Sequence, residues 1–447
     1  MKINIPDPVN LIIETFYNNG YEAYMVGGCI RDSLLSKNPK DYDIATSAPP
    51  SITESLFEKT IPTGIKHGTI TVLINNEPFE VTTYRTEGTY KDNRHPEEVS
   101  FVTNIKDDLS RRDFTINAFA YNDKEGLKDY FNGIEDLKNK IIRTVGDSNT
   151  RFNEDALRML RAIRFSSQLG FSIEEKTLNA IIKNKYLIKN ISLERIRDEL
   201  SKILLSDNPK KGFLLLKECG VLDIIIPELT PSIDFNQRNK YHHEDVFNHS
   251  LSVLENTPKD LTLRLAALFH DIGKPECFFL DEKGNGRFFD HNNVSSDIAK
   301  KILKRLRFDN KTIKNVSLLI KEHMNILDNP SDAAIKRLIN RVSLENINLL
   351  LSLQEADIKS LKDSIDPLNK LNIMKDKANK IINSKEPLSV KDLSIDGSDL
   401  INNLSIKPGK IIGDTLNHLF KLVLENPKLN NKEYLLKEAK EYIKKRD

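Results

Sequence analysis

Two aspartates, Asp41 and Asp43, flank Tyr42 in the segment YMVGGCIRDSLLSKNPKDYDIAT, residues 24–46. In an extended strand alternate residues share a face, so the two carboxylates point the same way. Side by side they repel each other, and a hard divalent cation between them removes that repulsion. Upstream, Gly27-Gly28 followed by Cys29-Ile30-Arg31-Asp32 reads as a tight turn opening a helix, where backbone N–H groups approach an anion closely. Metal ligands beside a phosphate cradle suit nucleotidyl transfer.

A second polar constellation is Arg111-Arg112-Asp113-Phe114-Thr115-Ile116-Asn117-Ala118. Its Arg and Asn donors match triphosphate and ribose oxygens, while Phe114 and Ile116 anchor the segment in a core. A third is Glu154-Asp155-Ala156-Leu157-Arg158. On a helix, Asp155 and Arg158 are i and i+3 and face one ligand. An aspartate accepts from an exocyclic amine, and an arginine donates to ring nitrogens and carbonyls. Cytosine and adenine both present an amine where uracil and guanine present a carbonyl. That mismatch costs several kcal/mol, roughly 10⁴-fold where a site is built around hydrogen bonds. The pair is therefore suited to selecting C and A without a template. Arg158, Arg161 and Arg164 recur every third residue, with Leu157, Leu160 and Ile163 on an apolar side, so guanidinium groups line one flank of that helix.

GGCIRD with DYD, then RRDFTINA, RFNEDALRMLRAIRFSSQLGF (151–171) and ISLERIRDEL (191–200), together resemble the class II tRNA nucleotidyltransferase and bacterial poly(A) polymerase family. The resemblance covers roughly residues 20–205. It implies an α+β chain: a DNA-polymerase-β-like head with a mixed sheet and helices, followed by a mostly helical neck and body. It implies that Asp41 and Asp43 hold catalytic Mg²⁺ for an in-line displacement on CTP or ATP. It further implies that Gly27, Gly28, Arg31, Arg111, Arg112, Asp113, Asn117, Glu154, Asp155, Arg158, Arg161 and Arg164 bind the nucleotide, with EDxxR as the template. Glu80, in FEVTTYR, is a candidate third carboxylate; a solvated edge-strand glutamate is the competing reading. The polar segment Tyr84–Ser100 stands where relatives have a loop linked to the switch from C to A addition. Its ordinary length favours addition of A, alone or after CC.

Six of the nine histidines (His242, His243, His249, His270, His291, His323) fall between 242 and 323. His249, the ALFHDIGK segment carrying His270-Asp271, and Asp357 in EAD resemble an HD domain. One imidazole and one carboxylate in tandem, completed by a distant His and Asp, make an N/O site for a divalent transition metal. His291 and His323 are candidates for a second metal or for phosphate contact. Such a site hydrolyses phosphoesters in some proteins that share the resemblance and serves as an RNA-binding body in others.

These residues need elements to position them. Val9, Ile12, Ile13 and Phe16 mark an amphipathic helix, and strands are expected at Tyr21–Val26, Tyr42–Ala45, Thr69–Ile74, Pro78–Tyr84 and Val99–Val102. From about residue 150 the pattern turns helical. The expected organisation is a head over 1–145, a neck over 146–230, an HD domain over 231–360 and a helical tail over 361–447. A chain of 447 residues suits about three domains.

Net charge is only +2 with 30% of residues charged, so any RNA surface rests on segregated Lys and Arg. Three scattered cysteines without a CxxC argue against a disulfide framework and for the cytoplasm. Pro6, Asp7 and Pro8 precede any apolar run, which argues against a signal peptide, and no run approaches ~18 apolar residues, so no membrane span is expected.

The leading expectation is addition of CCA to tRNA, held by its acceptor arm and 3′ end, from CTP and ATP. The alternatives are a poly(A) polymerase, an A-adding tRNA nucleotidyltransferase, or an HD-type phosphohydrolase whose head only binds nucleotide. Alarmone synthetase/hydrolases also join the two modules, but with the HD module first. His67 and His95 carry no assigned role, and the tail over 361–447 fits either a solvated helix, the favoured reading, or a tRNA-binding body.

Overall fold

The computed structural model describes residues 2–88, 99–238, 244–362, 364–384 and 386–445. The chain divides between Thr230 and Pro231 into two compact units.

In the first unit the helix Asp7–Asn18 buries Val9, Ile12, Ile13 and Phe16, as its apolar spacing requires. It leads into a seven-stranded sheet built from β1 (Ala23–Val26), β2 (Asp43–Thr46), β3 (Thr60–Gly64), β4 (Thr69–Ile74), β5 (Glu77–Thr83), β8 (Phe119–Asn122) and β9 (Gly126–Asp129). Two further strands, β6 (Arg85–Glu87) and β7 (Val99–Phe101), form a separate hairpin. The sheet order is β3-β4-β5-β2-β1-β8-β9. Every pairing is antiparallel except β2 with β5, which sets Asp43 opposite Glu80. All four residues of β1 and of β8 are buried, which for β1 gives the short continuous apolar run seen in the sequence. The expected strands occur within one or two residues of their sequence positions; β3, β6, β8 and β9 were not anticipated.

After the sheet the unit is helical. The helix Ser148–Glu154 ends at Asp155, whose φ of −134° and ψ of 104° are extended, and a second helix runs Leu157–Leu169. The single helix expected through 154–158 is thus broken at the residue of interest. Leu157–Leu169 packs on Leu193–Leu204 and Pro209–Glu218. Phe114 is fully buried and meets Phe165 edge-on at 5.7 Å between ring centres, tying the RRDF turn to this helix.

The second unit is helical, with one short antiparallel pair, Phe279–Leu280 with Gly286–Arg287, among its described residues. Val246–Glu255, Leu261–Phe269, His291–Arg305, Asn310–Glu322 and Ile347–Lys359 pack together; His249 lies within the first, His291 opens the third, and His270 and His323 follow the second and fourth. Packing runs on past residue 361, because Ile365–Asn383 lies on Asp332–Val342 and Ile347–Lys359. A distinct core forms further on, from Leu400, Leu419, Phe420, Val423, Leu435 and Ala439. No helix among the described residues is long and apolar enough to cross a membrane.

Phe114→Ala is expected to lower unfolding free energy by about 3–5 kcal/mol, read from urea melts of the purified chain. A loss under about 1 kcal/mol would mean that the Phe114–Phe165 contact does not hold the turn to the helix.

Candidate active site

The first unit carries a cleft of about 880 Å³ whose walls include Gly27, Gly28, Arg31, Asp41, Asp43, Arg111, Arg112, Asp113, Asn117, Asp155, Arg158, Arg161 and Arg164. Of the nucleotide-binding residues expected from sequence, only Glu154 stands off the wall. Asp43 opens β2, and Asp41 lies just before the strand in irregular backbone, so strand alternation does not itself align the pair. Both reach solvent while Tyr42 is half-buried. Burial by the surrounding walls raises the Asp43 carboxyl above its ordinary range; Arg112 opposes this and Asp41 adds to it. A pair of carboxylates in that condition fits a divalent cation. Glu80 lies beside Asp43 on the neighbouring strand but does not line the cleft.

Gly27 has φ of +81°, and a Cβ there would come within 2.8 Å of Arg112 Nη1. Glycine therefore lets the guanidinium lie against the turn. The Gly27 N–H is not offered to an anion, contrary to expectation, since it donates to the Phe119 carbonyl at 3.1 Å and ties the turn to β8.

Eight arginines line the cleft: Arg31, Arg85, Arg111, Arg112, Arg158, Arg161, Arg164 and Arg195. Buried carboxylates hold several of them apart. Asp108 accepts from Arg111 Nη2 at 2.9 Å and lies 3.6 Å from Arg112. Asp113 accepts from Arg161 Nε at 2.7 Å and from Asn117 Nδ2 at 3.1 Å, while Asn117 Oδ1 accepts from Arg31 Nη1 at 2.6 Å. Glu199 pairs with Arg164 at 2.6 Å. Asp113 and Asn117 thus spend their polar groups bracing arginines, a role the sequence did not distinguish from ligand binding. Burial alone would raise the Asp113 carboxyl, but Arg161 and Asn117 outweigh it and hold it at about 2. Phe165 forms a floor under three guanidinium groups, with Arg164 at 4.0 Å, Arg31 at 5.1 Å and Arg161 at 5.5 Å from its ring centre.

Asp155 and Arg158 both face the cleft but do not pair with each other. Asp155 Oδ1 accepts from the Leu157 N–H at 3.0 Å and Oδ2 from Arg195 Nη2 at 2.8 Å. Arg158 donates to Glu154 Oε2 at 2.5 Å and to the Arg151 and Arg111 carbonyls. Glu154 therefore acts on the site by holding Arg158.

Sequence reasoning missed Arg85, Glu87, Phe165, Arg195 and His67 as wall residues. Arg195 stood within a recognised motif; His67 and Glu87 carried no signal. Of the segment 84–100, residues 89–98 lie outside the described residues, as do His95, His242 and His243.

The second unit gathers His249, His270, Asp271, His291, His323 and Asp357. His249 Nε2 lies 3.0 Å from Asp357 Oδ1 and 3.7 Å from Asp271 Oδ2; His270 Nε2 lies 3.2 Å from Asp271 Oδ2. On the other oxygen of Asp271, His291 Nε2 lies at 3.3 Å and His323 Nε2 at 3.9 Å. His270, His291 and His323 each turn Nδ1 to a backbone carbonyl, of Ala267, Phe288 and Ile320, at 2.6–2.8 Å. That leaves Nε2 of all three buried without a hydrogen-bond partner, aimed at one carboxylate. Nδ1 donation sets the tautomer whose Nε2 lone pair ligates a metal.

Residues 23–143 match the family model of the "Poly A polymerase head domain", a span that holds the seven-stranded sheet and the Gly27–Asn117 part of the cleft wall. Residues 170–233 match "Probable RNA and SrmB-binding site of polymerase A", and residues 287–439 match a second domain of tRNA nucleotidyltransferases. The chain is 35% identical to the CCA-adding enzyme of Ligilactobacillus salivarius over 99% of both proteins. It is 35% identical to that of Enterococcus faecalis over 96% of this chain and 94% of the relative. The chain belongs to the CCA-adding enzyme family. The crystal structure of the Bacillus stearothermophilus CCA-adding enzyme in complex with CTP superposes with a TM-score of 0.74 at 28% identity, covering 99% of each chain. The Thermotoga maritima CCA-adding enzyme complexed with tRNA shares the fold, with a TM-score of 0.60 at 22% identity.

Because the folded-state value of Asp113 lies below the unfolded value of about 3.9, its stabilisation is complete above that pH and is lost as pH falls toward 2. The loss is on the order of 2 kcal/mol. Asp113→Asn should flatten the acid limb of unfolding free energy between pH 5 and pH 2; a limb of unchanged slope would mean that another carboxylate carries it.

Proposed function

We propose that the chain adds CCA to the 3′ end of tRNA from CTP and ATP. The observation that carries this is Asp41 and Asp43 facing a cleft lined by eight arginines, in a chain of this family. Asp41 and Asp43 are the residues to hold Mg²⁺, which when bound activates the RNA 3′-hydroxyl and offsets triphosphate charge. Arg31, Arg111, Arg112, Arg161 and Arg164 take the triphosphate oxygens, already spaced by Asp108, Asn117, Asp113 and Glu199. Asp155 accepts from the exocyclic amine of C or A. Arg158, steadied by Glu154, donates to the adjacent ring acceptor. A carbonyl in place of the amine leaves the Asp155 carboxylate repelled, which rejects U and G. The three free thiols agree with a reducing, cytoplasmic setting.

A second activity rests on the histidine cluster. His249, His270 and Asp271 form one N/O set for a divalent transition metal, with Asp357 beside His249 at 3.0 Å, and His291 and His323 form a second around the other oxygen of Asp271. The unpartnered Nε2 atoms fit that assignment, because a buried nitrogen left without a partner is costly. A metal held there lowers the pKa of water for phosphoester hydrolysis. The module is of HD type in this reading.

Extension of a tRNA transcript lacking CCA, with Mg²⁺ and CTP, ATP or both, tests the first reading by sequencing the 3′ ends. Addition of CCA that stops after three nucleotides is expected, and Asp43→Asn should abolish incorporation. Addition of A alone to ends already carrying CC, or long A tails, would replace this reading with an A-adding enzyme or a poly(A) polymerase. For the histidine cluster, the purified full chain is expected to retain stoichiometric transition metal after dialysis and to lose it in His270→Ala. A metal-free chain whose melting temperature is unmoved by added Mn²⁺, Co²⁺ or Ni²⁺ would refute the site.

A further inference from the structure

Asp155 stands at a break between two helices, in extended backbone, so no helical scaffold aims its carboxylate. Its aim comes from two hydrogen bonds. The Leu157 N–H fixes Oδ1 from within the same turn, and Arg195 fixes Oδ2 from another helix, Leu193–Leu204. Arg158, three residues away, contributes nothing to this aim, because its guanidinium is engaged by Glu154 and two carbonyls.

Arg195 differs from its neighbours in how it is held. Arg161 and Arg164 are each bound to a buried carboxylate, Asp113 or Glu199, neither of which is the proposed base-reading carboxylate. Among the described residues the ion-pair partner of Arg195 is Asp155 itself, at 2.8 Å, and its Nη1 has no acceptor within the protein. The guanidinium lines the cleft beside the carboxylate that it orients. A guanidinium N–H held on one oxygen of a carboxylate decides which lone pairs remain for a third partner. Removing it frees Asp155 to rotate about the helix break and to meet a base in more than one way.

We infer that Arg195 is a positioning residue for nucleotide choice, acting through Asp155 to keep one acceptor geometry facing the exocyclic amine. This rests on the base-selecting role proposed for Asp155. Arg195 thereby joins Glu154 as the second of two supports, one for each member of the selecting pair.

The test uses the full chain and a tRNA transcript, measuring kcat and KM for single incorporation of CTP against UTP, and of ATP against GTP on an end already carrying CC. In Arg195→Met the CTP/UTP and ATP/GTP ratios of kcat/KM should fall by about 10- to 100-fold, while incorporation itself persists. Arg195→Lys, which keeps charge but not the fork, should recover part of the ratio. Adding Arg195→Met to Asp155→Ala should lower the ratio no further than Asp155→Ala alone, as expected for residues acting through one contact. Equal loss for all four nucleotides with unchanged ratios would overturn the inference and leave Arg195 a triphosphate or structural arginine. Should Arg195→Met fail to fold, Arg195→Gln and Arg195→Lys carry the same comparison. If Asp155→Ala leaves the ratios intact, the base-selecting reading itself fails. If Asp155→Ala collapses them and the Arg195 variants do not, only the present inference fails.

Discussion

Guanidinium groups crowded into one cleft repel one another, and the folded head depends on carboxylates placed to oppose that repulsion. Asp108, Asp113 and Glu199 are nearly inaccessible to solvent, and each contacts at least one arginine of the wall. A buried carboxylate without such a partner would be costly, and an arginine without one would be drawn to Asp41 and Asp43. The two requirements meet in the same bonds. The result is a wall of positive charge whose members are individually anchored, facing acidic residues left free for a cation. Preorganised charge of this kind does not have to rearrange when a polyanionic ligand arrives.

The same network explains which parts of the architecture were legible in the sequence. Strands β1, β2, β4 and β5 announce themselves because buried apolar runs flanked by Gly, Pro and Asn have few other readings. Asp41, Asp43 and the arginines of RRDFTINA and EDALRMLRAIR stand out by type and spacing. What stayed hidden was partnership across long separations. That Asp113 serves Arg161, or that Asp155 is held from Arg195, follows from packing between segments about 40 or more residues apart. The break at Asp155 was hidden for a related reason. Local propensity over RFNEDALRML favours one continuous helix, and the tertiary fit of the two segments overrides it. β3 and β9 escaped because they are not strongly apolar.

In the second unit the imidazoles needed the fold more than the sequence did. Spacing alone left His291 and His323 without a fixed place, and only the fold sets them on the opposite oxygen of Asp271 from His249 and His270. Their Nδ1 bonds to carbonyls at the ends of three separate turns mean that backbone geometry, not side-chain neighbours, dictates which nitrogen faces inward.

The interruption at Asp155 also divides labour along the chain. The row Arg158, Arg161 and Arg164 belongs to the rigid segment that begins at Leu157, whereas Glu154 closes the preceding one. Of that row only Arg158 is tied back across the joint, through Glu154 and the Arg151 carbonyl, whereas Arg161 and Arg164 are held by Asp113 and Glu199. A shift of the earlier segment therefore reaches Arg158 first and leaves the anchors of the other two in place. Substitutions near the joint can alter one guanidinium of the cleft while the rest of the wall keeps its arrangement.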